Sequence, residues 1–172
     1  MRTTLLRLLV LVLLVTGAAV TAGAGSAAPP PYRPGPVVDT TGPSADPGAA
    51  RRNANVCPRG SSFGAYRRTL TQKVIGGAFT YWSFSSEVQW CFDGTAVTRI
   101  LSVRAWPEEL GPLWEYAGLQ STSTSGGVGV SYYQYKPVGH FRYACTPYVG
   151  CVRHAYPAPG ITVKGNGTAN PS

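Results

Sequence analysis

The chain contains two histidines, His140 and His154, so any imidazole chemistry must run through one or both. Ser–His–acid catalysis needs a base within hydrogen-bond reach of its nucleophile. No Gly-x-Ser-x-Gly elbow is present to offer such a serine. Both histidines also fall beside expected strand ends, where surface or packing roles are the ordinary use. Glycoside hydrolysis needs two carboxyl groups roughly 5 to 10 Å apart. Beyond residue 55 the acids are Glu87, Asp93, Glu108, Glu109 and Glu115. Asp93 reads as a turn residue, and Glu108 and Glu109 as a solvated loop, which leaves Glu87 and Glu115 as the one pair that would have to converge. Gly126-Gly127-Val128-Gly129 is followed by neither Gly-Lys-Ser/Thr nor a helix, so it does not make a phosphate cradle. No catalytic residue is assigned.

The four cysteines are Cys57, Cys91, Cys145 and Cys151. Read with His140 and His154, the last two have ligand types suited to zinc, but their gap exceeds the two to four residues usual between paired zinc cysteines. An even count in an exported chain reads instead as two disulfides, with three connectivities open. Pro147 and Gly150 mark a turn between Cys145 and Cys151, which would let these two face each other across a hairpin. Cys57 then pairs with Cys91, closing the longer loop and contributing on the order of 3 kcal/mol in the chain-entropy picture. No metal and no cofactor are expected.

Aromatic residues are dense: Tyr81 and Trp82, Trp114 and Tyr116, then Tyr132, Tyr133 and Tyr135. On a strand Tyr133 and Tyr135 share a face. A row of exposed rings can stack against sugar faces while offering a polar tip; the same rings can equally form a sandwich core and its cross-strand pairs. Tyr133, Tyr135, Trp114 and Tyr116 are taken as candidate binding residues.

The elements that must position these groups are strands. Residues 79–92 alternate with period two, Phe84, Val88, Trp90 and Phe92 on one face and Ser85, Glu87, Gln89 and Cys91 on the other. Asp93-Gly94 follows as a two-residue hairpin turn, and residues 95–106 return with Val97, Leu101, Val103 and Ala105 on one face, interrupted by Arg99. Residues 69–75 read as an earlier strand ending at Gly76-Gly77. Pro107 is followed by Glu108-Glu109-Leu110, expected as a single helical turn. Further strands are expected at 113–122, 128–136, 140–145, 151–156 and 161–164, with a turn at 137–139. No sustained 3.6-residue apolar period appears. The fold expected is all-β, an antiparallel β-sandwich of about seven strands with two disulfides.

Residues 1–28 read as a secretory signal peptide: Arg2 and Arg7, an unbroken apolar run of only eight residues at 8–15, then small residues. A spanning helix needs about 20, so no membrane span is expected once the signal is removed. Residues 29–55, rich in Pro, Ala and Gly, read as a disordered spacer, and 56–170 as the folded domain. Without Arg2 and Arg7 the 15 basic residues become 13 against seven acids, a net +6. Such a charge favours anionic cell-envelope polymer or polysaccharide through long-range attraction. The basic residues are scattered, with no Lys/Arg block of the kind that binds nucleic acid. The oligomeric state is not encoded in any pattern here.

Two segments, Trp90-Cys91-Phe92-Asp93-Gly94-Thr95-Ala96-Val97-Thr98 and Gly139-His140-Phe141-Arg142-Tyr143 with Gly150-Cys151 and Tyr156-Pro157 after it, resemble small secreted proteins of actinomycete bacteria that have no assigned activity. The resemblance implies a bacterial, extracellular setting and carries no activity with it. The functional expectation is a secreted, non-catalytic binding module for envelope polymer, polysaccharide or protein. The alternatives are a small secreted hydrolase, and an inhibitor of extracellular proteases acting through the loop at residues 146–150.

Overall fold

Strand-forming residues at period two produce nine strands among the described residues: β1 (Pro34–Pro43), β2 (Ser62–Val74), β3 (Thr80–Phe92), β4 (Val97–Leu110), β5 (Trp114–Gly126), β6 (Tyr132–Thr146), β7 (Gly150–Ala155), β8 (Ile161–Lys164) and β9 (Ala169–Pro171). The computed structural model describes residues 34–43, 56–74 and 79–172, all of which belong to one unit, Tyr32–Ser172. The expected signal peptide and the Gly76-Gly77 turn lie outside the described residues. Sheet A is the meander β1-β2-β3-β4; sheet B has the order β5-β6-β8-β9, with β7 also paired to β6. Every pairing is antiparallel. The all-β sandwich with two disulfides, Cys57–Cys91 and Cys145–Cys151, is as expected.

The alternation read in β3 sets the core. Trp82, Phe84, Val88 and Trp90 point from sheet A toward sheet B, where two apolar clusters form. One joins Val88, Trp90 and Val97 to Tyr135, Ile161 and Val163. The other joins Trp82 and Phe84 to Trp114, Phe141 and Tyr143. Phe84 meets Phe141 edge-on at 5.6 Å between ring centroids, and Trp82 stacks on Phe141 at 5.5 Å, both within the range in which aromatic pairs add to simple burial. Polar ties seal the space between sheets: Trp90 Nε1 donates to the Lys164 carbonyl at 3.2 Å, and the Ser86 hydroxyl donates to the Pro159 carbonyl.

Five local expectations are corrected. Part of the segment read as a disordered spacer is β1, which pairs with β2 from Pro34↔Val74 to Pro43↔Tyr66. An edge strand needs backbone partners more than large apolar side chains, and Asp39 adds an ion pair to Arg68 at 2.7 Å. The β3–β4 connection spans residues 93–96 between Phe92 and Val97. Asp93 closes it by accepting from the Thr95 amide, the Thr95 hydroxyl and the Ala96 amide at 2.9, 2.9 and 2.8 Å. Residues 108–110 continue β4 rather than turning into helix; β4 is an edge strand of sheet A, where the missing amide of Pro107 is tolerated. Finally, Pro137 and Gly139 lie within β6. Its second edge is paired by β8 only up to Tyr135 and by β7 only from Phe141, so Pro137 sits where no ladder partner requires its amide. On β4, a bulge between Ser102 and Ile100 resets the phase, so Ile100 rather than Leu101 packs against the core.

Gly64 stands opposite Trp90, whose ring folds over it: a Cβ there would lie 2.7 Å from the indole. Gly64→Ala is therefore expected to lower stability by about 1–3 kcal/mol through overpacking. Gly42→Ala, where a Cβ meets nothing within 4 Å, should stay within about 0.5 kcal/mol. Urea denaturation of both variants is the check; equal effects would contradict this packing of Trp90.

Candidate functional site on the outer face of sheet A

A strand in the middle of a sheet presents alternate side chains to both faces, and β3 buries both. Its outward residues are polar. Register places Thr40, Thr69, Ser85 and Trp106 side by side across the four strands, with Gly42, Arg67, Glu87 and Arg104 in the adjacent row. The Thr69 and Ser85 hydroxyls are 2.6 Å apart, and those of Thr71 and Ser83 3.0 Å. Glu87 is 2 % exposed; its Oε1 accepts from Gln89 Nε2 at 2.7 Å and Arg104 Nη2 at 3.0 Å. Arg67 donates to the Ser85 hydroxyl at 3.4 Å and pairs with Glu108. The guanidinium carbons of Arg67 and Arg104 lie 5.1 and 4.8 Å from the Trp106 ring centroid, which holds the partly buried indole between charge and sheet. A cavity of ≈ 480 Å³ opens over this face, lined among others by Thr40, Thr41, Arg67, Thr69, Ser83 and Glu108.

Such an arrangement offers one aromatic surface, a row of hydroxyls and two guanidinium–carboxylate pairs already hydrogen-bonded in place. These groups suit a hydroxyl-rich ligand, which exchanges hydrogen bonds with preorganised partners and packs against the part of the indole that the guanidiniums leave open.

The aromatic residues expected to bind occupy other positions. Trp114 and Tyr135 are each only 6 % exposed, and Tyr116 and Tyr133 are half-buried against the two core clusters. Burial pushes the phenol pKa values of Tyr116, Tyr133 and Tyr135 upward. These four rings build the interior: β6 turns its odd-numbered Tyr133 and Tyr135 inward, and β5 contributes Trp114 and Tyr116 to the second cluster. Glu87 and Glu115, the pair considered for glycoside hydrolysis, lie on opposite outer faces: Glu115 is beside Arg142 on sheet B, 3.0 Å away. Trp106, Arg67 and Arg104 were not singled out from the sequence. The available signal was the polar alternation of Ser85, Glu87 and Gln89 in β3, which leaves an outer face needing partners from both neighbouring strands.

On the outer face of sheet B, His140 Nε2 and His154 Nδ1 are 2.8 Å apart. Tyr156 stacks on His140 with centroids 4.9 Å apart. Glu115 lies near Cys145 and Cys151, but these sulfurs are bonded to each other and offer no thiolate of the kind that the zinc reading required. At the hairpin tip Tyr148 is 96 % and Val149 87 % exposed. No protein-family model, curated protein or solved structure matches the chain.

His140 is shifted below its ordinary pKa of 6.5, first by burial, then by the neighbouring His154 and Arg142. A histidine with a lower midpoint folded than unfolded supports folding above the unfolded value. That contribution is lost as pH falls through the lower, folded one. With only two imidazoles present, proton NMR should show the His140 midpoint below 6.5, and His154→Asn should raise it. A midpoint at or above 6.5 in the wild type would contradict this environment.

Proposed function

We propose that the protein is an exported, non-catalytic binding module that takes envelope polymer or polysaccharide on the outer face of sheet A. The observation that carries this reading is Trp106, partly exposed and held by Arg67 and Arg104 beside a ladder of hydroxyls and the buried Glu87 carboxylate. Export is supported by the basic and apolar leader pattern at residues 1–28. Two disulfides fit an oxidising compartment. The net +6 expected for the processed chain adds attraction to anionic polymer, acting over about 10 Å at 0.1 M salt.

Pull-down of the purified protein on insoluble cell wall, chitin and cellulose across a salt series tests the reading. Retention that persists at high salt, and falls about tenfold in Trp106→Ala, is the expected outcome; tenfold corresponds to about 1.4 kcal/mol, the scale of one aromatic contact. Arg67→Ala should weaken retention further. Retention unchanged in Trp106→Ala would remove this face from consideration, and retention lost with salt alone would reduce the interaction to charge.

A second reading rests on the disulfide-closed hairpin, whose tip projects Tyr148 and Val149 into solvent. A rigid loop bearing apolar side chains suits insertion into a protease or another protein. Inhibition of a secreted protease that disappears in Tyr148→Ala, with glycan retention intact, would favour it.

A further inference from the structure

The two histidines of the chain meet on the outer face of sheet B, away from the face proposed above. The β6–β7 register pairs Arg142 with His154 and Phe141 with Ala155, which sets His140 diagonally across from His154. We propose that His140 and His154 form a two-imidazole chelate for a late first-row divalent metal ion, with Cu(II) held most tightly.

The geometry carries the assignment. His140 Nε2 and His154 Nδ1 are 2.8 Å apart, close to the roughly 3 Å edge between neighbouring ligands around a metal with bonds of about 2.0–2.1 Å. Turning each ring away from the direct nitrogen–nitrogen line brings the two lone pairs to a common point. Whichever nitrogen holds the bridging hydrogen passes it to the far nitrogen of the same ring, so a neutral pair binds without net release of a proton. The rings are already ordered: they lie 23° from parallel, and Tyr156 stacks on His140 at 18° and on His154 at 8°. Less side-chain freedom is therefore lost on binding.

The chemistry selects the ion. Two neutral imidazoles without thiolates suit Cu(II), Ni(II) and Zn(II) rather than Mg(II) or Ca(II), and the Irving–Williams order puts copper first. Arg142 is the cation nearest in register, and its charge is opposed by Glu115 at 3.0 Å. His154 and Tyr156 are exposed, which leaves the remaining coordination positions open to water or to a donor from a ligand.

Cu(II) titration of the purified protein, read by visible absorbance and by electron spin-echo spectroscopy of the bound ion, tests this. One equivalent should bind with two imidazole nitrogens in the wild type and one in either His140→Asn or His154→Asn. Each substitution should weaken affinity at least tenfold, and Cu(II) should displace bound Zn(II). A single imidazole signal in the wild type, or equal affinity in the wild type and both variants, would overturn the proposal. The wild-type spectrum decides the matter even where a variant is perturbed in fold.

Discussion

Glu87 lies in the middle of β3 with almost no access to water, and a buried carboxylate is tolerated only when charge and hydrogen bonds replace its hydration. That requirement organises the outer half of sheet A. Gln89, two residues along the same strand, supplies a neutral donor, and Arg104 on β4 supplies the charge. Arg104 then lies over Trp106, and Arg67 reaches the same indole from β2 while pairing with Glu108. One buried carboxylate thus ties together three strands through side chains alone. The hydroxyl ladder beside it carries polar side chains across the same sheet without any formal charge. Removing Arg104 would take a cation from a carboxylate with almost no access to water, so the network is better viewed as a unit than as separate contacts.

The inner half of the sandwich follows a different rule. There the requirement is volume: Phe84, Phe141, Trp82 and Trp90 fill the space between sheets, and glycines open room for them. Gly64 lies beneath Trp90, and a Cβ on Gly139 would come 3.0 Å from Phe84. Large rings opposed by glycines let two sheets close tightly without an excess of aliphatic side chains. Because β3 serves both halves, its alternation couples the apolar packing inside to the polar network outside. A shift of β3 register by one residue would present Glu87 to the core and Phe84 to solvent, so register here is strongly determined.

Period two in β3 was legible because both of its faces have a clear chemical character, and the disulfide pairing followed from the turn between Cys145 and Cys151. What escaped was information held by neighbouring strands. Pro137 reads locally as a breaker, yet it is accommodated because β8 and β7 leave a gap along that edge of β6. The composition of residues 34–43 resembles a linker, yet β2 offers them a backbone partner. Tyr133 and Tyr135 were correctly placed on one face, but a single strand does not reveal which face meets the other sheet; they turned inward, and Trp106, the last residue of an expected strand, turned outward. The histidine contact depends on the β6–β7 register, which places residues 14 apart within hydrogen-bond distance.

Cys145–Cys151 connects these observations on the far face. Among the described residues β7 pairs with β6 alone, through five residue pairs, and short edge strands held on one side open readily. The disulfide closes the hairpin at the end where the exposed Tyr148 and Val149 would otherwise give the least packing. It therefore holds β7 in the register that brings His154 to His140, and it does so from outside the core. The sandwich interior sets the position of β6, and the cysteine pair sets that of β7 against it. The outer face of sheet B thus depends on a covalent bond for an alignment that sheet A secures with a buried carboxylate.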